Sequence, residues 1–149
     1  CMINWQGKIE WCVPMETRGN INIKISPDNK RAYIISSRGY LFCVDLKNGT
    51  IIWKYKEDTA PYGVVASMKP NSNYYQKIEL INNKIIVLAS IGYRQYNLWD
   101  SSRILIFNNQ GKKLKELNYE NKKIQIQNIK NKLLIIDKKV KKAEMIKVL

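Results

Sequence analysis

Side chains that could perform catalysis are few and scattered in this chain. It contains no histidine, which excludes histidine acid–base catalysis, Ser-His-Asp and Cys-His pairs, and histidine metal sites. No glycine-rich phosphate loop is present. Four acidic residues stand apart without a pairing that suits catalysis: Glu10, Asp45, Asp100 and Glu116. The sequence therefore predicts no catalytic residues, no metal site, no cofactor and no enzymatic activity.

The three cysteines, Cys1, Cys12 and Cys43, form an odd set without metal-like or C-x-x-C spacing. This usage favours a reducing compartment over a secreted disulfide framework and predicts a cytoplasmic protein. Two interpretations of Cys1 remain open. It is either a residue added ahead of a start at Met2 or a lipidated terminus, which would anchor an assembly scaffold in the bacterial envelope. No stretch approaches the ~18 apolar residues of a membrane helix, so no span is predicted.

Residue types that are common at protein-binding hot spots concentrate in the stretches 57–74 and 92–102. Tyrosine, tryptophan and arginine bury a large area at a modest entropic cost. The candidate partner-binding residues are Tyr62, Tyr74, Tyr93, Arg94, Tyr96 and Trp99. The alternative is that these aromatic side chains fold back and cap the ends of the strands.

Two sequence signatures recur along the chain and indicate a repeat. The first contains a turn glycine followed by a tryptophan, and its copies are QGKIEW (6–11), NGTIIW (48–53) and QGKKLK (110–115), the last with Lys115 in place of tryptophan. The second is an Asn-Lys turn before a β-rich run, in DNKRAYIIS (28–36), NNKIIVLAS (82–90) and KNKLLIIDK (130–138). The repeated position of Trp11 and Trp53 behind the glycines predicts packing anchors between neighbouring sheets.

Alternating β-branched residues and Asn, Asp and Gly turns predict an all-β single domain over residues 1–149. The predicted strands are 7–13, 20–26, 31–37, 39–45, 50–56, 75–81, 84–91, 103–108, 112–118, 123–129, 132–137 and 143–149. They form three four-stranded antiparallel meander repeats. We expect strand 7–13 to complete the sheet built from 123–149, within the chain or across a dimer, because both otherwise leave open edges.

The middle repeat is longer than the one before it. The interval from Gly49 to Gly111 exceeds that from Gly7 to Gly49, and the extra residues fall in 57–74 and 92–102. Strands of a meander alternate in direction, so both insertions are expected to emerge at the same end of the sheet.

The segment GYLFCVDLKNGTIIWKYK (39–56) resembles the repeat of the PQQ-like, or quinoprotein-type, β-propellers. Gly39, Asp45, Gly49 and Trp53 stand at the positions of its pattern, whereas Cys43 replaces an alanine and Asn48 a threonine. The resemblance implies a propeller-like scaffold without the family's catalytic chemistry, because its acidic base, Ca²⁺ ligands and vicinal disulfide have no counterparts. Asp45 is expected to hold turn amides. Three repeats are fewer than the usual four to eight blades, so the alternatives are a homodimer with six blades and a trefoil-like barrel.

The formal net charge is +14, but the densest basic segments, 112–115 and 138–142, flank predicted strands and protect sheet edges. A nucleic-acid partner is therefore not expected.

The sequence predicts a non-catalytic protein-binding module, such as an inhibitor or immunity protein that neutralises a toxin through its loop face. The alternative is a lectin-like carbohydrate-binding domain.

Overall fold

The computed structural model describes residues 1–3, 5–14, 21–36, 39–56, 71–93, 98–120 and 122–148. For residues 71–74, 90–93 and 98–100 it describes only the backbone. Every regular element in the described residues is a β-strand, and the thirteen strands form four antiparallel sheets. The all-β prediction is confirmed. No helix able to cross a bilayer occurs in this part of the chain.

The four sheets follow one another along the chain, and each is a simple meander. The amino-terminal hairpin contains β1 (Met2–Ile3) and β2 (Ile9–Trp11). Sheet I contains β3 (Ile21–Ile25), β4 (Arg31–Ser36), β5 (Tyr40–Asp45) and β6 (Ile51–Lys56). Sheet II contains β7 (Asn71–Ile81), β8 (Lys84–Tyr93), β9 (Leu98–Phe107) and β10 (Lys113–Tyr119). Sheet III contains β11 (Ile124–Ile129), β12 (Lys132–Asp137) and β13 (Lys142–Lys147).

The turn between the first and second strands of each larger sheet contains asparagine in the left-handed backbone region. Asn29, Asn83 and Asn131 have φ values of 56°, 59° and 61°. Asparagine tolerates this conformation better than most residues, which explains why the Asn-Lys signature recurs there. The predicted role of Asp45 is also confirmed, because its Oδ1 accepts a hydrogen bond from the Lys47 amide at 2.7 Å.

The sheets pack face to face in chain order through three apolar cores. The hairpin packs on sheet I through Trp11 and Val13, which contact a cluster containing Ala32, Ile34, Phe42 and Val44. Sheets I and II share a core that includes Tyr33, Ile35, Leu41, Cys43, Ile78, Val87, Leu105 and Phe107. Sheets II and III share one that includes Ile86, Leu88, Ile104, Ile124, Ile126, Leu133 and Ile135. The described sheets do not close into a barrel, so the trefoil-like alternative is wrong.

Two tryptophans anchor neighbouring sheets, as predicted. Trp11 Nε1 donates a hydrogen bond to Leu46 O, and Trp53 Nε1 donates one to Asn109 O, both at 3.1 Å. Each indole also lies against the turn glycine of the following sheet, Gly49 or Gly111. A buried indole N–H needs an acceptor, and the turn carbonyls supply it.

The expected closure of the chain ends is wrong within one chain. Ile9 of β2 pairs with Ile3, whereas Met145 of β13 pairs with Leu134, so the two strands belong to different sheets. A disulfide joins Cys1 to Cys12 and holds β1 beside β2, which gives β2 a partner from its own hairpin. The repeats therefore have two, four, four and three strands in place of three complete fours. Neither the number nor the spacing of the cysteines predicted this disulfide.

Candidate functional site

Sheet II extends beyond sheet I at one end. The β8–β9 ladder runs from the pair Ile85–Phe107 to the pair Tyr93–Leu98, whereas the corresponding β4–β5 ladder ends at Ile35–Leu41. The additional four positions add about 13 Å at the usual rise of a strand. Most of the insertion 92–102 is thus strand where a loop was expected, because continued pairing satisfies its backbone groups.

The beginning of β7 lies beside this extension. Asn71 pairs with Gly92, and Tyr74 pairs with Ser90. The segments that flank the two insertions therefore meet at the same end of sheet II, as the meander predicts. We call residues 71–74, 90–93 and 98–101 the projecting end of sheet II.

Three of the six predicted binding residues lie within the described part of the chain. The backbones of Tyr74, Tyr93 and Trp99 lie in β7, β8 and β9 at the projecting end. Tyr62, Arg94 and Tyr96 lie outside the described residues. The topology thus brings the backbones of three of the six to one end of sheet II, and the role of all six remains a prediction.

A polar cleft of about 440 Å³ lies at the opposite end of the sheets, where the asparagine turns are. Its lining combines charged and amide side chains with a few apolar ones: Ser26, Pro27, Asp28, Arg31, Tyr33, Leu80, Ile81, Asn82, Asn83, Lys84, Ile85, Asn109 and Asn131. The sequence patterns did not predict this site. The signal was present in the Asn-Lys turns, which three successive sheets bring to one end.

Hydrogen bonds fix the polar groups of the cleft. Asp28 Oδ1 accepts hydrogen bonds from the Ser26 hydroxyl at 2.6 Å and from the Lys30 amide at 3.1 Å. These bonds, that of Ser26 above all, lower the pKa of Asp28. Arg31 Nη1 lies 3.5 Å from Asn109 O, which it contacts as a weak donor. The cleft therefore offers a carboxylate, a guanidinium and several amides to a polar ligand.

A buried carboxylate links the first strands of the three larger sheets. Glu79 of β7 lies 3.2 Å from Lys24 Nζ of β3 and 3.0 Å from Lys77 Nζ. Lys77 Nζ also donates a hydrogen bond to Ile126 O of β11 at 2.7 Å. Buried charges need such partners, so we assign this cluster a structural role. Nothing in the local sequence marks Glu79, because its ion pair with Lys24 and the hydrogen bond from Lys77 to Ile126 O join strands that are distant in sequence.

The described residues hold no group of three or more side chains that could bind a metal ion. The free cysteine, Cys43, is fully buried, and burial raises the pKa of its thiol to about 11. This thiol is therefore protonated at neutral pH and is a poor nucleophile.

Comparison with known proteins gives distant structural likenesses only. No protein-family model and no curated protein matches the chain. Among solved structures, it is similar to the computationally designed Ika4 protein, with a TM-score of 0.42 and 10% identity over 92% of this chain and 97% of that one. It is also similar to BamB from Moraxella catarrhalis, with a TM-score of 0.41 and 12% identity over 88% of this chain. The matched region spans half the length of BamB. These likenesses assign neither a family nor a function.

Proposed function

We propose that this chain is a non-catalytic protein-binding module and that the projecting end of sheet II is its binding face. The extra length of the β8–β9 ladder is the observation that carries the proposal. This extra length favours a rigid ribbon that extends beyond sheet I and contains Tyr74, Tyr93 and Trp99 in its strands. Residues held in a ladder lose less conformational entropy on binding than residues on a free loop.

The finer proposal is an inhibitor or immunity protein whose ribbon fills a recess of a toxin or enzyme. Aromatic side chains dominate the energy of such interfaces when they occupy desolvated pockets. The net charge of +14 favours a target with an acidic surface, because complementary charge accelerates encounter. The partner is thus expected to combine an apolar recess with an acidic rim.

The test is partner capture from the native host with three forms of the protein. The wild type and Ile52→Ala, which alters an exposed residue of β6, should retain the same partner. The double variant Tyr93→Ala with Trp99→Ala should lose it, and titration of that partner should show a loss of ~2–4 kcal/mol. Equal capture by all three forms contradicts the proposal.

Carbohydrate binding is a second candidate, supported by the amide-rich lining of the polar cleft. Amide and guanidinium groups form paired hydrogen bonds with sugar hydroxyls. An oligosaccharide identified on a glycan array should bind less tightly to Asn109→Ala and equally well to the double variant of the projecting end. Absence of any glycan binding at millimolar concentrations contradicts this candidate.

A further inference from the structure

A second pocket, of about 270 Å³, lies between the end of β10 and sheet III. Its lining includes four side chains with apolar surface and two lysines: Tyr119, Ile124, Ile135, Val140, Lys122 and Lys142. We call this the sheet III pocket. Its volume is below the ~300–1,000 Å³ of most small-molecule sites, so it suits one or two amino-acid side chains of a larger partner.

The sheet III pocket adjoins the projecting end of sheet II. Tyr119 of β10 pairs with Ser102 of β9. The next pair along β9, Ser101 with Ile91, already belongs to the projecting end. The Ser102 hydroxyl also donates a hydrogen bond to Lys122 O at 2.9 Å, which holds the rim of the pocket against β9. A partner bound to the projecting end is therefore close enough to contact this pocket as well.

Six exposed lysines concentrate at this end of sheet III. They lie in the segments 122–123 and 138–142: Lys122, Lys123, Lys138, Lys139, Lys141 and Lys142. The Lys138 amide donates a hydrogen bond to Lys123 O at 2.9 Å, so the two segments meet. In the part of the chain that the structure describes, none of the six forms an ion pair. Their charges therefore attract an acidic partner.

The two carboxylates that line the pocket are already held by other groups. Asp137 Oδ1 accepts hydrogen bonds from the amides of Lys139 at 2.9 Å and Val140 at 3.4 Å. Glu144 Oε1 accepts one from the Tyr119 hydroxyl at 3.1 Å. Burial and the Glu144 carboxylate raise the pKa of Tyr119 to about 12, so this hydroxyl remains a donor at neutral pH. The lysines outnumber these two acids, and the local charge is positive.

We propose that the sheet III pocket binds an acidic peptide segment of the partner protein. One apolar side chain of the segment enters the pocket, and the carboxylates on either side of it meet Lys122 and Lys142. The identity of the partner rests on the proposed function, whereas the chemistry of the pocket does not. Exposed cations accelerate encounter, and the buried apolar contact slows release.

A nucleic-acid strand fits these features less well than a peptide. Unstacked bases need an aromatic face or a guanidinium plane on which to stack. The aromatic side chain in the lining, Tyr119, is partly buried and bound to Glu144, and the two cations of the pocket are lysines. An apolar lining also adds nothing to phosphate binding.

The first test is a titration of isotope-labelled protein with a blocked peptide that has one leucine between pairs of glutamates. We expect the backbone amide signals of Ile124 and Glu144 to shift, with a dissociation constant of ~1 mM or tighter. Control peptides with glutamine for glutamate, or glycine for leucine, should each bind at least ~fivefold more weakly. No binding at ~10 mM, or equal binding of either control, overturns the proposal. Tighter binding of a single-stranded oligonucleotide to the same residues also overturns it.

Matched charge variants locate the site. Lys122→Glu with Lys142→Glu should weaken binding of the leucine peptide at least ~tenfold. Lys132→Glu with Lys147→Glu is the control, because these cross-strand partners lie at the other end of sheet III. It makes the same change in net charge and should bind within about twofold of the wild type in moderate salt. All four lysines are exposed, so circular dichroism should show an intact fold. Equal weakening by both double variants overturns the proposal.

The apolar part of the pocket has its own test. Val140 is 58% exposed, so Val140→Ser should leave the fold intact. It should weaken the leucine peptide by ~threefold or more and leave the glycine peptide unchanged. An equal effect on both peptides would mean that no apolar side chain enters the pocket, which overturns the proposal.

The natural partner separates this inference from the proposed function. Tyr93→Ala with Trp99→Ala lies outside the pocket and should bind the peptide like the wild type. Full capture of the partner by that variant contradicts the proposed function and leaves the peptide result standing. Lys122→Glu with Lys142→Glu should weaken binding of the partner ~tenfold or more. Unchanged partner affinity in this variant overturns the role of the pocket in the interface.

Discussion

The indole of Trp53 lies directly over Gly111, so that a β-carbon added to this glycine would be 2.7 Å from Trp53 Cδ2. The same indole donates its N–H to Asn109 O in the same turn. A tryptophan of sheet I thus fits a position of sheet II where only glycine leaves room. Trp11 and Gly49 repeat the relationship one sheet earlier.

Loss of the Trp53 indole should destabilise the fold markedly. Trp53→Ala removes a large packed side chain and its hydrogen bond, so we expect a loss of ~3 kcal/mol or more in urea unfolding. Trp5→Ala is the control, because Trp5 is 92% exposed and its loss should cost less than ~0.5 kcal/mol. Trp99→Ala is also expected to cost little. Equal losses for Trp53 and Trp5 would contradict the anchoring role.

The glycine side of the contact can be tested with a matched pair. Gly7 and Gly111 have φ values of 81° and 83°, but a β-carbon at Gly7 would meet no described atom within 4 Å. Gly7→Ala should therefore cost only the backbone strain, ~1–2 kcal/mol. Gly111→Ala should cost ~1–3 kcal/mol more, because the indole must move. Calorimetric melting of the two variants gives the difference, and a value near zero would show that the contact is not tight.

The two lysines around Glu79 should contribute unequally to the free energy of unfolding. Lys24 is partly exposed in its ion pair, so Lys24→Met should cost ~1 kcal/mol or less. Lys77 also binds the carbonyl of Ile126 in sheet III, so Lys77→Met should cost ~2 kcal/mol. Urea unfolding of both variants measures the two values. A larger loss at Lys24 would mean that the link to sheet III is unimportant.

Glu116 should make stability depend on pH in the acid range. Burial alone would raise its pKa, but hydrogen bonds and charges from Lys113 and Arg103 lower it below the ordinary 4.5. A lowered pKa means that the stabilisation is complete above pH 4.5 and is lost as the pH falls through the folded-state value. Glu116→Gln should thus cost up to ~1 kcal/mol at pH 7 and nothing at about pH 2. A difference that stays constant across this range would rule out the carboxylate as the cause.

Local patterns predicted most of the strands. The alternation of Ile21, Ile23 and Ile25 and the asparagine turns identify β3 to β13 because they act within a few residues. β1 was missed because two residues show no period, and a disulfide from Cys12 fixes them. The length of β8 and β9 was missed because Gly92 and the serines interrupt the apolar pattern, while the ladder continues through backbone pairing.

The surfaces were harder to predict than the strands. The projecting end follows from the direction of meander strands, so sequence reasoning could place its flanks together. The polar cleft and the Glu79 cluster depend on groups that are far apart in sequence, such as the Lys24 ammonium and the Ile126 carbonyl. The predicted pairing of the chain ends was wrong for the same reason. A hydrophobic strand edge indicates that a partner strand is needed, but it does not identify which strand that is.

Cys43 is buried between sheets I and II, so the reaction of its thiol can report whether the protein unfolds cooperatively. An alkylating reagent can reach this thiol only when the two sheets separate, and its pKa of about 11 keeps it unreactive until then. The labelling rate in native buffer therefore measures how often that one junction opens. A row of sheets that contact their neighbours behaves as a one-dimensional array, in which a single junction can open without global unfolding. Comparison of the labelling free energy with the global unfolding free energy would show whether the sheets unfold together in one transition or separate one after another from an end of the row.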